Sequence, residues 1–295
     1  MPDYAPVAEA IAAATGRPFG IETEQPRGGG CIHRAVVLGG GGRNYFVKSN
    51  STAALPMFEA EADGLAALAA TGTCRVPAVI AHGMTDEYAF LVLEGLDLRA
   101  LDRAAGAALG RALAALHRCS GEGFGWQRDN FIGANSQANA VHPNWSYFFA
   151  ERRLKPQLAL AAARGLERRL LHFGADIAER IGGFFIDYRP RPSLLHGDLW
   201  SGNAAALADG TPVLFDPAVH RGDREADLAM AELFGGFPES FYAAYREAWP
   251  LDDGYETRKT LYNLYHILNH YNLFGAAYLG QAKRMIERLR ADLKG

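Results

Sequence analysis

Leu194-Leu195-His196-Gly197-Asp198-Leu199-Trp200-Ser201-Gly202-Asn203, followed by Val213-Leu214-Phe215-Asp216, is the stretch on which the reading of this chain turns. A carboxylate, Asp198, is followed five positions later by a carboxamide, Asn203, and thirteen positions after that by a second carboxylate, Asp216. Between them, 204–207 and 212–215 read as a short β-hairpin with Asp209-Gly210 at its turn. Such a hairpin folds the chain back and returns Asp216 to the side of Asn203. Oxygen donors of this kind suit a hard cation such as Mg²⁺. The plain alternative is an ordinary loop in which Asp198 caps a turn and Asn203 takes a left-handed conformation.

The same spacing resembles a protein-kinase catalytic loop with its metal-binding aspartate, where one Asp accepts a hydroxyl proton and an Asn and a second Asp hold Mg²⁺. The preceding chain is consistent with that. Residues 5–15 read as an Ala-rich helix ended by Gly16. Gln25-Pro26-Arg27-Gly28-Gly29-Gly30-Cys31 leads into a hairpin of 32–38 and 44–48, turned by the glycines 39–42. Glycines let a backbone approach a phosphate and aim N–H groups at it. Lys48, at the end of the returning strand, is placed to reach nucleotide phosphates.

Residues 56–70 predict a helix with Phe58, Glu61, Leu65 and Leu68 on one stripe. Glu61 then lies inward, where an unpaired acid is costly, and Lys48 is the expected partner. Glu59 and Asp63 lie on the wet side. Residues 75–80 and 88–93 read as two further strands. Glu94-Gly95-Leu96 follows as a hinge whose backbone would meet an adenine. From Leu98 the chain reads as mostly helical. The irregular stretch 124–145 is a candidate substrate lid, Asp223 or Asp227 a candidate anchor for the catalytic-loop backbone, and His266, Asn269, His270 and Asn272 polar groups bordering a cleft.

The expected fold is therefore α+β and bilobal, protein-kinase-like. A five-stranded antiparallel small lobe with one helix spans 1–93, a hinge 94–97, and a mostly helical large lobe 98–295. The 295 residues, 49% hydrophobic and 21% charged, suit a globular enzyme. A net charge of −3 argues against nucleic-acid binding as the main business. Three scattered cysteines, Cys31, Cys74 and Cys119, form no CxxC and fit a reducing compartment. No membrane span or signal peptide is read, so a cytoplasmic location is expected.

Taken together, these segments resemble the fructosamine-3-kinase (ketosamine-3-kinase) family. The likeness rests on Gly28-Gly29-Gly30-Cys31, Tyr45-Phe46-Val47-Lys48, Met57-Phe58-Glu59-Ala60-Glu61 and, above all, the Leu-Trp-Ser-Gly inside the catalytic loop. Phe215-Asp216-Pro217-Ala218, Glu232 to Pro238 and Leu268-Asn269-His270-Tyr271-Asn272 extend it over nearly the whole chain. The resemblance implies ATP- and Mg²⁺-dependent phosphorylation of a free or protein-bound ketosamine at its third hydroxyl, leading to deglycation. It makes Asp198 the base, Asn203 and Asp216 the metal ligands, Lys48 and Glu61 the phosphate-positioning pair, and Glu94, Gly95 and Leu96 the adenine hinge. Asp-Pro-Ala stands where general kinases carry Asp-Phe-Gly, and GGGC is not GxGxxG. A kinase for an aminoglycoside or choline, and a non-catalytic nucleotide-binding scaffold, are the competing readings. A monomer is expected. Cys31, a thiol among N–H dipoles near Lys48, is either an oxidisable switch able to block ATP or link two chains, or a small residue that fits the loop.

Overall fold

The computed structural model describes residues 2–28 and 32–294. Gly29, Gly30 and Cys31, and with them the phosphate-loop and redox expectations, lie outside the described residues. The chain opens with α1 (Ala5–Thr15), β1 (Thr23–Arg27), β2 (Arg34–Gly40), β3 (Arg43–Asn50), α2 (Leu55–Ala70), β4 (Val79–Met84) and β5 (Ala89–Glu94). The five strands form one antiparallel sheet in the order β1-β2-β3-β5-β4.

Period-two alternation explains how this sheet is covered. Ala89, Leu91 and Leu93 of β5 join Phe58, Leu65 and Leu68 of α2. Phe90 and Val92, on the opposite face, join Tyr4, Val7 and Ile11 at α1. The sheet thus lies between two helices rather than beside the single one expected. The strand expected at 75–80 is displaced to Val79–Met84. Pro77 has no N–H to give a ladder, and Arg75 pairs with the distant Val213 instead.

The remainder is mostly helical: α3 (Arg103–His117), the small hairpin β6 (Asn130–Ile132) and β7 (Asn135–Gln137), α4 (Trp145–Phe149), α5 (Lys155–Ala163) and α6 (Arg168–Glu179) come first. They are followed by β8 (Ser193–Leu195), β9 (Ala204–Ala206), β10 (Pro212–Leu214), β11 (His220–Gly222), α7 (Glu225–Leu233), α8 (Glu239–Ala248), α9 (Tyr255–Phe274) and α10 (Leu279–Asp292). Pro156 is the second residue of α5. A π-helical turn at Ala150–Leu154 joins α4 to α5. One apolar cluster runs from Phe58 and Leu65 through Leu109 and Leu113 of α3 to Leu214, Val219 and Tyr245. It joins the sheet and α2 to α3, α7 and α8. A second cluster fills the helical lobe around α4, α6, α9 and α10.

The stretch 124–144 is not a free lid. Asn139 and Asn130 are buried within it, and Gln137 and Asn139 both donate to Asn130 Oδ1 at 2.8 Å. Its many amides find partners inside the fold, which makes the segment part of the scaffold.

Candidate active site

The catalytic stretch bends back as its spacing requires. β9 and β10 pair antiparallel, Gly210 takes φ 83 at the turn, and Phe215 N–H donates to Asn203 O at 3.1 Å. Asp216 therefore stands beside Asn203. It is the one non-glycine residue among those described with positive φ, at 56°. A non-glycine residue in that region carries strain that the surrounding structure must hold.

Asn203 is buried and uses its amide nitrogen on Asp198, donating to Asp198 O at 2.9 Å and Oδ2 at 3.1 Å. Its side-chain oxygen accepts no hydrogen bond among the described residues. Asp198 itself is half-buried. Burial, followed by repulsion from Asp216, pushes its carboxyl up from 3.8 to about 7, against the hydrogen bond from Asn203. A carboxylate with that affinity for protons near neutrality is suited to general-base work.

Lys48, near the end of β3, has its ammonium on two acids at once: Glu61 Oε1 at 2.7 Å and Asp216 Oδ1 at 2.5 Å. Burial works against the lysine's charge, but the two carboxylates outweigh it and raise its pKa. The inward placement of Glu61 expected from helix periodicity holds, with 12% of its side chain exposed. One ammonium thus ties strand β3, helix α2 and the Asp216 segment together.

Asp227, in the first turn of α7, anchors the catalytic loop. It accepts from His196 N at 2.7 Å, from Gly197 N at 2.9 Å and from His117 Nε2 at 3.1 Å. Burial opposes its charge, yet His117 and the loop N–H groups hold its carboxyl below the usual range. Asp223 instead accepts from Tyr188 and Tyr262. His196 is buried and neutral, its pKa lowered chiefly by that burial. Its Nδ1 accepts from Asp198 N at 3.3 Å, so Nε2 carries the proton and donates to Phe215 O at 3.0 Å. Gly197 has φ 84, and a Cβ there would come 2.0 Å from Ala218 O, so only glycine fits.

In the expected hinge segment, Gly95 lies so close to β3 that a Cβ would meet Asn44 O at 2.5 Å, and its N–H donates to that carbonyl at 3.0 Å. Leu96 N–H makes no hydrogen bond among the described residues, which leaves it available to a base edge. The Glu94 side chain, for which no role was expected, accepts Arg75 Nη2 at 2.6 Å on both oxygens and Ala78 N at 3.1 Å. Gly28 is exposed just past β1.

Some groups depart from expectation. His266, Asn269 and Asn272 are buried, and Asn269 and Asn272 bind Gln157 and Asn135 rather than bordering a cleft. His33 is a lone histidine that carries no motif signal in the sequence. It packs at 4.8 Å on Phe58 and meets Asn50 Nδ2 at 3.0 Å, and burial then Lys48 lower its pKa to about 4. Trp200 is 37% exposed with its ring over Gly202, Gly236 abuts Ser201, and Phe234 packs on His270 at 5.0 Å. Among the described residues no three of His, Cys, Asp or Glu cluster as a metal site, and no helix is long and apolar enough to cross a membrane.

Comparison with known proteins agrees with this geometry. The family profile for fructosamine kinase matches residues 4–292. A Synechocystis protein named "Probable ketoamine kinase" is 47% identical over 285 residues, covering 96% of this chain and 95% of its own. A crystal structure from Haemophilus somnus, assigned to fructosamine-3-kinase, superposes with a TM-score of 0.89 at 30% identity, covering 96% of each chain. An aminoglycoside phosphotransferase solved with AMP-PNP and hygromycin B shares the fold at a TM-score of 0.58 and 15% identity, covering 96% of this chain and 98% of its own. With its site built as described and a match spanning nearly its whole length, this chain belongs to the fructosamine kinase family.

Proposed function

We propose that this protein is an ATP-dependent ketosamine kinase that transfers the γ-phosphoryl group to the acceptor's third hydroxyl. The observation that carries the reading is the convergence of Lys48, Glu61 and Asp216 on one side of Asn203 and Asp198. ATP lies between the lobes, its adenine against the Glu94–Leu96 backbone. Lys48, held by Glu61, meets the phosphates.

A divalent cation fits the residues present. Asn203 has its nitrogen committed to Asp198 and its oxygen free, and Asp216 adds a carboxylate. Two protein oxygens, completed by phosphate oxygens, match the way Mg²⁺ is ordinarily held. When bound, Mg²⁺ would neutralise charge on the transferring phosphoryl group. Asp198 orients the acceptor hydroxyl and takes its proton late in transfer, while Asn203 holds the carboxylate through its amide. Asp227 and His196 keep the loop in shape. Most of the acceleration comes from positioning and charge. The exposed Trp200 offers an aromatic face to the cationic amine of a ketosamine.

Phosphorus NMR of products from ATP with ribuloselysine, fructoselysine, kanamycin or choline tests this. A new sugar-phosphate resonance with a ketosamine, coupled to the proton on its third carbon, is the expected result. Turnover of kanamycin or choline without turnover of either ketosamine would overturn it.

A further inference from the structure

We propose that Trp126-Gln127-Arg128 is a positioning clamp that sets the rotation of α2, and so the place of Glu61 and Lys48. The proposal rests on the reading of Lys48 and Glu61 as the phosphate-holding pair. Trp126 Nε1 donates to Asp63 Oδ2 at 2.8 Å, and Gln127 Nε2 donates to Asp63 Oδ1 at 3.1 Å. Both carboxylate oxygens are therefore used by consecutive residues of the helical lobe. Arg128 adds a weaker, half-exposed contact to Glu59 at 3.4 Å.

Glu59 and Asp63 are four residues apart and share a face of α2. Glu61 sits between them in sequence, roughly 200° around the helix, and reaches Lys48. Holding the outer face thus fixes where the inner one points. With side-chain tips about 6 Å from the axis, a turn of roughly 20° moves the Glu61 carboxylate by about 2 Å. That displacement is enough to break its 2.7 Å bond to Lys48.

The clamp has a stiff base. Trp126 N–H donates to Asn139 O at 2.9 Å, and Asn139 Nδ2 donates to Arg128 O at 3.1 Å. Asn139 is itself held by Arg153 Nη2 at 2.7 Å, both residues being almost wholly buried. The π-helical turn at Ala150–Leu154 carries that arginine. The clamp shares its frame with the Asp216 segment: Asn130 Nδ2 donates to Val219 O at 2.8 Å, and Gly64 of α2 packs on Pro217 and Val219. The clamp and the metal-side aspartate are therefore registered against the same helix from two directions.

The test places Asp63→Ala, Asp63→Asn and Trp126→Phe in the full-length wild type and in Glu61→Ala, with steady-state kinetics in ATP and in ketosamine. In the wild type, Asp63→Ala and Trp126→Phe should lower kcat/KM for ATP by about 10-fold, the scale of a lost charge-assisted bond. KM for the ketosamine should stay within about twofold, and Asp63→Asn, which can still accept from Trp126, should recover most of the loss. In Glu61→Ala the same changes should cost under about twofold, because the carboxylate they act through is gone. Equal losses in both backgrounds, or none in the wild type, overturn the clamp. Normal ATP kinetics for Glu61→Ala alone would instead overturn the phosphate-pair reading. Trp126→Phe keeps the ring in place, so it decides the matter if Asp63→Ala does not fold.

Discussion

Replacing Asp198 by Asn separates its electrostatic role from its shape. Asparagine keeps an oxygen for Asn203 Nδ2, which now reaches Asp198 Oδ2 at 3.1 Å, so the loop should keep its geometry. What is lost is a carboxyl raised from 3.8 to about 7 by burial and by Asp216. A raised acid binds more protons folded than unfolded between those two values. Wild-type stability therefore falls as pH rises from about 4 to about 7, then levels off. At about 1.4 kcal/mol per pH unit of separation the ceiling is near 4 kcal/mol, and partial solvent access reduces the expected effect to about 2 kcal/mol. Urea unfolding of the nucleotide- and metal-free protein from pH 4.5 to 8 should thus show Asp198→Asn gaining on wild type by about that amount across the range. Turnover should drop by roughly 10²–10⁴-fold, the contribution of a general base, with ATP binding retained. Parallel stability profiles for the two proteins would refute the buried, repelled carboxylate. Near-normal turnover would remove Asp198 from the chemistry.

Asp227→Ala strands two buried backbone N–H groups and His117, and should cost about 3–5 kcal/mol in chemical denaturation, with turnover lost together with loop order. Gly197→Ala forces a Cβ to within 2.0 Å of Ala218 O at φ 84 and should lower the melting temperature and abolish phosphorylation while leaving the sheet's own circular-dichroism signal in place. Lys48→Met should raise KM for ATP by at least about 10-fold, the scale of one buried charge contact, read in coupled ATP-consumption assays. Chelation of divalent cations should stop turnover without shifting the melting temperature of the nucleotide-free protein, and restored activity on adding Mg²⁺ completes that test.

Spacing and period carried much of this protein in plain view. Asp198, Asn203 and Asp216 could be paired because the Asp209-Gly210 turn fixes how far the chain doubles back. Glu61 could be turned inward because helical period is local, and its burial demanded a cation. Both inferences need only the geometry of a few neighbouring residues. The strand at Val79–Met84 was misplaced because Arg75 is drawn to Val213, a partner 138 positions away in the sequence. The docking of α1 on the sheet, the choice of Asp227 over Asp223 to hold the catalytic loop, the use of Glu94 by Arg75 and the grip of Trp126 and Gln127 on Asp63 share one cause. Each joins residues far apart in the chain whose types are common and whose spacing is arbitrary. The sequence by itself determined which groups meet at the candidate site, because their order is set by short-range turns and periods. Only the tertiary structure decided what holds those groups still, since the buried polar partners that aim them are brought together by packing of the whole chain.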